Sequence, residues 1–267
     1  MRLGRGGAVI AIFVASIAFS AAALGGAYLH FMNFEPSASR YPVRGIDVSH
    51  HQGAIAWETL KGRGVHFVYM KASEGGDHVD TRFADNWTAA ARAGLARGAY
   101  HYFTLCRPGI VQAHNFMRTV ALDKTAMPPA VDLEFGGNCK HRPTRAEFLR
   151  ELKAFLTTIE RRYGKRPILY VTRSFHARYL TGELNDYGYW IRSIYFRPTV
   201  PGRRWLIWQF HHRGRRDGIK GAVDLNVFRG NRAAFERWRR TGQWRRETPS
   251  PGPIPGSGPG KASGGNG

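Results

Sequence analysis

The stretch "PPAVDLEFGG", Pro128 to Gly137, places Asp132 and Glu134 two residues apart in an apolar run closed by a Gly-Gly turn. Two prolines open the run, so the chain enters it extended. Side chains alternate faces along a strand, so both acids point the same way, with Cα atoms ~6.5–7 Å apart. Charge at the end of a buried strand asks for a reason, and the rest of the chain supplies one.

Working outward from this run, short apolar segments alternate with helical patterns. Candidate strands are "VRGIDVS", "HFVYMKAS", "ARGAYHYF", "PPAVDLEF", "RPILYVT", "YGYWIRS", "RWLIWQF" and "GAVDLNVF". Strands joined through helices pair mostly in parallel, and eight of them suit a closed barrel. The spacers between the last three are too short for crossover helices. The clearest helix is "TRAEFLRELKAFLTTIERRYG", Thr144 to Gly164. Thr144 and Glu147 form a capping box, Phe148, Leu149, Leu152, Phe155, Leu156, Ile159 and Tyr163 share one face, and Gly164 stops it. "RFADNWTAAARAG" and "IVQAHNFMRTVA" are shorter helices of the same kind.

In a parallel barrel the carboxyl ends of strands carry the chemistry. Asp132 and Glu134 are read at such an end, as are Asp47 in "GIDVSHHQG", Glu74 in "VYMKASEGG" and Asp224 in "AVDLN". Five of the 19 acids thus gather at four strand ends. Neighbouring carboxylates resist ionising together, which raises the pKa of one member and keeps a proton ready for a leaving oxygen. Glycoside hydrolysis requires such a set. Aromatic side chains match it, because sugar rings present apolar C–H faces. Tyr100 and Tyr102 share a face of "GAYHYF", Tyr170 ends "ILY", and Trp208 and Gln209 sit in "LIWQF".

Other chemistries find little support. The pairs His50-His51 and His211-His212 lack metal-site spacing, so neither metal nor cofactor is expected. No nucleophile elbow, P-loop or dinucleotide fingerprint occurs. The chain carries 40 Lys+Arg against 19 Asp+Glu, a formal charge of +21. Its denser basic runs, "HHRGRRDG" and "FERWRRTGQWRR", show no nucleic-acid motif. A cationic surface against anionic envelope polymers is the plainer reading, with no specific nucleic-acid partner.

The amino terminus bears on the compartment. Residues 1–7 are basic, and "AVIAIFVASIAFSAAALGGAYLHFMNF", 8–34, holds no charged residue. A bilayer crossing takes ~20 apolar residues, and preceding positive charge keeps the start in the cytoplasm. An uncleaved transmembrane anchor is favoured because the stretch exceeds a usual signal core. A signal peptide cut near Ala23 is the rival. Either way the catalytic part faces the periplasm or exterior, anchored in the cell envelope or secreted. Cys106 and Cys139, the only two cysteines, are expected to bridge in that oxidising space. Residues 35–42 read as a linker and 43–245 as one catalytic domain. The tail 246–267 is Pro, Gly and Ser that cannot build a core.

At "GIDVSHHQG", "VYMKASEGG", "GAYHYF", "AVDLE" and "VDLN", taken in order over roughly Val43 to Trp238, the chain resembles the family-25 glycoside hydrolases, the Chalaropsis-type lysozymes. The resemblance implies an α/β fold, an irregular TIM-like (β/α)5(β)3 barrel. It implies cleavage of the β-1,4 bond from N-acetylmuramic acid to N-acetylglucosamine in peptidoglycan; a monomer is expected. Glu134 is then similar to the general acid and Asp132 to its partner, while Asp47 and Asp224 support them. Glu74 belongs to a "K-x-[ST]-E-G" signature and is counted with the substrate-binding residues. His78 departs from the aromatic or leucine usual in the family. Substrate assistance and inversion through water both stay open. The competing functions are a weakly catalytic peptidoglycan-binding module, a chitinase-like hydrolase and a basic nucleic-acid binder.

Overall fold

The computed structural model describes residues 5–199 and 205–243. The expected tail at 246–267 lies outside the described residues. Among the described residues nine strands form one sheet: β1 Arg44–Val48, β2 Phe67–Glu74, β3 His78–Val79, β4 Ala96–Tyr102, β5 Ala130–Leu133, β6 Ile168–Val171, β7 Gly188–Arg192, β8 Trp205–Gly214 and β9 Val223–Phe228. Their order is β1-β9-β8-β7-β6-β5-β4-β2-β3, and a further β1–β2 pairing closes the sheet into a barrel. Eight strands make the wall, and short β3 folds back on β2 as a hairpin. The neighbours from β1 round to β8 run parallel, β9 alone among the wall strands being antiparallel to both its partners.

Five helical segments cross between strands: α2 Trp57–Gly62, α3 Phe83–Arg92, α4 Gly109–Thr119, α5 Arg145–Tyr163 and the short α6 Arg173–Phe175, which runs on into a wide turn at His176–Leu180. Among the described residues none separates β7, β8 and β9, so the arrangement is five strand–helix units and three closing strands. The reason for α5 is local. Thr144 accepts from the Glu147 backbone while the Glu147 side chain returns to the Thr144 N–H, and Gly164 ends the helix in the left-handed region at φ 65°.

The alternation of side chains sorts two cores. Ile46, Val48, Val68, Met70, Val131, Leu133, Leu169 and Val171 face outward under the helices. Phe67, Tyr69, Ala130, Ile168, Tyr170, Trp190, Ile207 and Phe228 fill the lumen. Helix α7, Arg232–Thr241, plugs the lower mouth with Phe235 and Trp238. Trp238 stacks on Phe228 with centroids 5.4 Å apart. With the floor sealed by rings, the polar residues of the lumen are left for the upper rim.

Two expectations about the amino terminus are corrected. The charge-free stretch does form a helix, α1 Arg5–Met32. Among the described residues, however, no helix is long and apolar enough to cross a membrane, so the expected anchor is not supported. Ser16 to Ala27 is mostly Ala, Gly and Ser, which present little hydrocarbon to lipid. Residues 35–42 are also more than a linker. Tyr41 is buried and meets the rings of Trp205 and Trp208. Glu35 pairs with Arg44 at 2.5 Å and Arg216 at 2.6 Å.

Candidate active site

The upper lumen collects side chains from all eight wall strands by the same period-two rule. On β5, Ala130 points into the lumen core and Asp132 follows it toward the rim, with Glu134 one residue past the strand's end. On β1, Asp47 follows Gly45, whose missing side chain matters because a Cβ there would fall 2.4 Å from the Phe67 ring. Asp47 sits in register with Asp224 across the β1–β9 ladder. Asp224 is therefore placed differently from its expected strand-end position. It is the second residue of β9, not near the last. Because β9 runs antiparallel, its beginning lies level with the carboxyl ends of its neighbours, and Asp224 joins the same rim.

Asp47 is bound from three sides. Asn226 Nδ2 donates to Oδ1 at 2.6 Å, and Gln209 Nε2 lies 3.2 and 3.3 Å from the two oxygens. A hydrogen bond with Asp224 completes the set. Trp190 Nε1 fixes Asn226 at 2.8 Å, and Tyr170 donates to Gln209 at 3.0 Å. Burial pushes Asp47 up to about 6, against the pull of those donors. Asp224 is pushed up to about 9, first by burial and then by the Asp47 charge. The pair holds one proton between them near neutrality.

Asp132 and Glu134 behave alike. Burial raises both, and the Glu134 charge raises Asp132 further. Asp132 Oδ1 is buried without a hydrogen-bond partner. A buried acceptor left in this state costs roughly 1–3 kcal/mol, which favours the protonated acid until a donor arrives. Two cations temper the cluster. Lys71 Nζ lies 2.6 Å from Glu74 Oε2 and 5.2 Å from the centre of the Tyr102 ring. Arg192 Nη1 lies 3.9 Å from Glu134 Oε2.

The backbone bearing Glu134 is held from outside. Asn138 donates to the carbonyls of Glu134 at 3.1 Å and Phe103 at 2.9 Å, and accepts from Leu105 N–H at 2.9 Å. Tyr102 donates to the Gly136 carbonyl. Cys106 and Cys139 are bridged across a Cα–Cα distance of 6.3 Å, joining the loop after β4 to the loop after β5. Behind β4, His101 lies between Ser73 Oγ at 2.9 Å and Gln112 Oε1 at 3.2 Å. Burial pulls its pKa down to about 3, so it serves as a neutral prop for the irregular step between Lys71 and Ser73 in β2.

The remaining sequence candidates divide. Tyr102 and Glu74 stand at the rim, paired in register on β4 and β2. Tyr100 lies deeper, edge-on to Trp190 at 6.5 Å. Tyr170 and Gln209 are buried and act on Asp47 rather than lining a wall. Trp208 is not brought to the cluster. Its ring lies in the outer core against Phe34 and Tyr41, and its Nε1 donates to Ser193 O at 2.6 Å. Gln209 faces the lumen, so its neighbour in the strand must face away. Lys71, Trp190, Arg192 and Asn226 were missed by the sequence reading. The signal was present: each stands at the spacing of two from another lumen residue, at 69/71, 190/192 and 224/226. His78 is exposed on the β3 hairpin.

The chain matches the family described as glycosyl hydrolases family 25 over residues 46–219. It is similar to protein YegX of Escherichia coli K12, 36% identical over 216 residues covering 76% of this chain and 78% of that protein. It is 34% identical over 212 residues to Lysozyme M1 of Streptomyces globisporus, covering 72% and 69%. Among solved structures, a family 25 glycosyl hydrolase from Bacillus anthracis superposes with a TM-score of 0.73 at 36% identity, covering 76% of this chain and 96% of that one. With a barrel whose upper rim gathers four acids, and with these relatives, the chain belongs to the glycosyl hydrolases family 25 and is a glycoside hydrolase of lysozyme type.

Proposed function

We propose that this enzyme hydrolyses the β-1,4 bond between N-acetylmuramic acid and N-acetylglucosamine in peptidoglycan outside the cytoplasmic membrane. Glu134 is the general acid and Asp132 orients the substrate acetamido group. The observation that carries the reading is the unpartnered, buried Oδ1 of Asp132, two residues before Glu134, whose charge it feels. An acetamido N–H is the donor this oxygen lacks. Once that bond forms, the acetamido oxygen is aimed at the anomeric carbon.

The steps balance as follows. Glu134 gives its proton to the bridging oxygen as the C1–O bond breaks, and the acetamido oxygen bonds to C1. The Asp132 carboxyl steadies the positive charge that develops on the amide. Glu134, now a carboxylate, takes a proton from water as that water attacks C1 and the ring opens back to the acetamide. The Asp47–Asp224 couple keeps a proton and a negative charge across the lumen from this pair.

The relatives' names support the substrate: Lysozyme M1 of Streptomyces globisporus and the N,O-diacetylmuramidase of Chalaropsis sp. Work outside the membrane is supported by the Cys106–Cys139 bridge and by basic residues ahead of a charge-free stretch. The test is muropeptide analysis by mass spectrometry after digestion of defined peptidoglycan. New reducing ends on N-acetylmuramic acid support the reading, and reducing ends on N-acetylglucosamine overturn it.

A further inference from the structure

The lumen rim holds five carboxyl groups, Asp47, Glu74, Asp132, Glu134 and Asp224, against two cations, Lys71 and Arg192. Lys71 is committed, with Glu74 at 2.6 Å and the Tyr102 face beneath it. Arg192 is not. Its contact with Glu134 is 3.9 Å, beyond hydrogen-bond length, and its side chain keeps 36% of its surface exposed. A guanidinium carries five donors in a fixed fork suited to a carboxylate. Its place is set rigidly, because Arg192 ends β7 in register with Gln209 of β8, which itself holds Asp47. The fork thus stands at the mouth with donor capacity to spare.

A glycan with only hydroxyl and acetamido groups brings nothing anionic to that fork. A muramyl residue does, because its lactyl ether ends in a carboxyl group. A wall of acids repels such a substituent everywhere except where a cation meets it. We propose that Arg192 is a specificity-determining residue that receives the lactyl carboxyl group of the muramyl sugar and so separates muramyl glycans from chitin. The proposal rests on the muramidase reading above and names which side chain reads the substituent.

The experiment uses the full chain and peptide-free muramyl glycan, whose lactyl carboxyl is ionised, beside the same glycan after reduction of that carboxyl to an alcohol. Wild type is expected to cleave the parent at least about tenfold better in kcat/KM, chiefly through KM. Arg192→Met erases that preference by weakening the parent, and Arg192→Lys retains part of it. A wild type indifferent to reduction overturns the proposal. So does an Arg192→Met variant that loses equal ground on both glycans, which would assign Arg192 to Glu134 alone. The lysine variant, with melting temperatures of all three proteins, distinguishes lost recognition from lost folding. A wild type that cleaves neither glycan speaks against the muramidase reading itself.

Discussion

Asp47 and Asp224 face each other as a directly paired couple across antiparallel β1 and β9, two carboxyls that share a hydrogen bond. Asp47 titrates at about 6 and Asp224 at about 9, both above the ordinary 3.8, with burial as the largest cause. The folded state therefore holds more protons than the unfolded one between these values. The couple's contribution to stability is fully present below about pH 4 and is lost as pH climbs through 6 and 9. Asp224→Asn is expected to raise the melting temperature by roughly 2–4 °C at pH 9 and to change it little at pH 4, while slowing hydrolysis. Thermal scans at both pH values check this, and an equal shift at the two would contradict it.

On the proposed mechanism, Glu134→Gln removes the proton donor without emptying space. Hydrolysis of purified walls is expected to fall by about three orders of magnitude, with the melting temperature within a few degrees of wild type. Glu134 is raised above its ordinary 4.5 by burial. With Glu134 as the proposed acid, the protonated form is the working one, so activity is expected to be highest below the raised value and to decline as pH rises through it. A glutamine variant that clears walls at the wild-type rate would remove Glu134 from this role.

Lys71 pulls the Asp132 and Glu134 values down from where burial would leave them. Taking the positive charge away in Lys71→Met lets the acid keep its proton at higher pH. The alkaline limb of kcat/KM is expected to move up by about half a unit. A pH profile of the variant decides the matter. A limb that moves down, or stays, would show that Lys71 does not tune the pair.

The disulfide closes a loop spanning 33 positions. A bridge of that span is worth about 3–4 kcal/mol in the unfolded-chain account. Replacing both cysteines by serine is expected to lower the melting temperature by roughly 6–15 °C. Activity is expected to suffer at temperatures where the protein stays folded, because the Asn138 contacts that hold the Glu134 carbonyl lie next to Cys139. Calorimetry with assays well below the transition separates the two effects.

Much of this fold is readable from the chain because strands and helices announce themselves by different periods. The eight wall strands and the capped α5 follow from apolar spacing and from Thr144, Glu147 and Gly164 alone. Strand direction is another matter. Nothing in "VDLN" says that β9 runs opposite to its neighbours, so Asp224 was placed at the wrong end of its strand while arriving at the right rim. Trp208 and Gln209 are adjacent and cannot share a face, yet composition alone attracts both to a sugar groove. Lys71 and Arg192 were passed over because long cations are usually solvated, and only closure of the barrel turns them inward.

The seating of Phe34, Glu35 and Tyr41 on the barrel has a consequence for any processing of this chain. Phe34 lies against Tyr195, Trp208 and Phe210, and Glu35 is stapled between two arginines. Tyr195, in the left-handed region at φ 66°, stands three residues beyond the arginine at the cleft mouth. A cut upstream of Phe34 leaves this clasp with the hydrolase. A cut at residue 43 strips it off and unlatches the segment that leads away from β7. Phe34, Glu35 and Tyr41 thus pack as part of the barrel's wall.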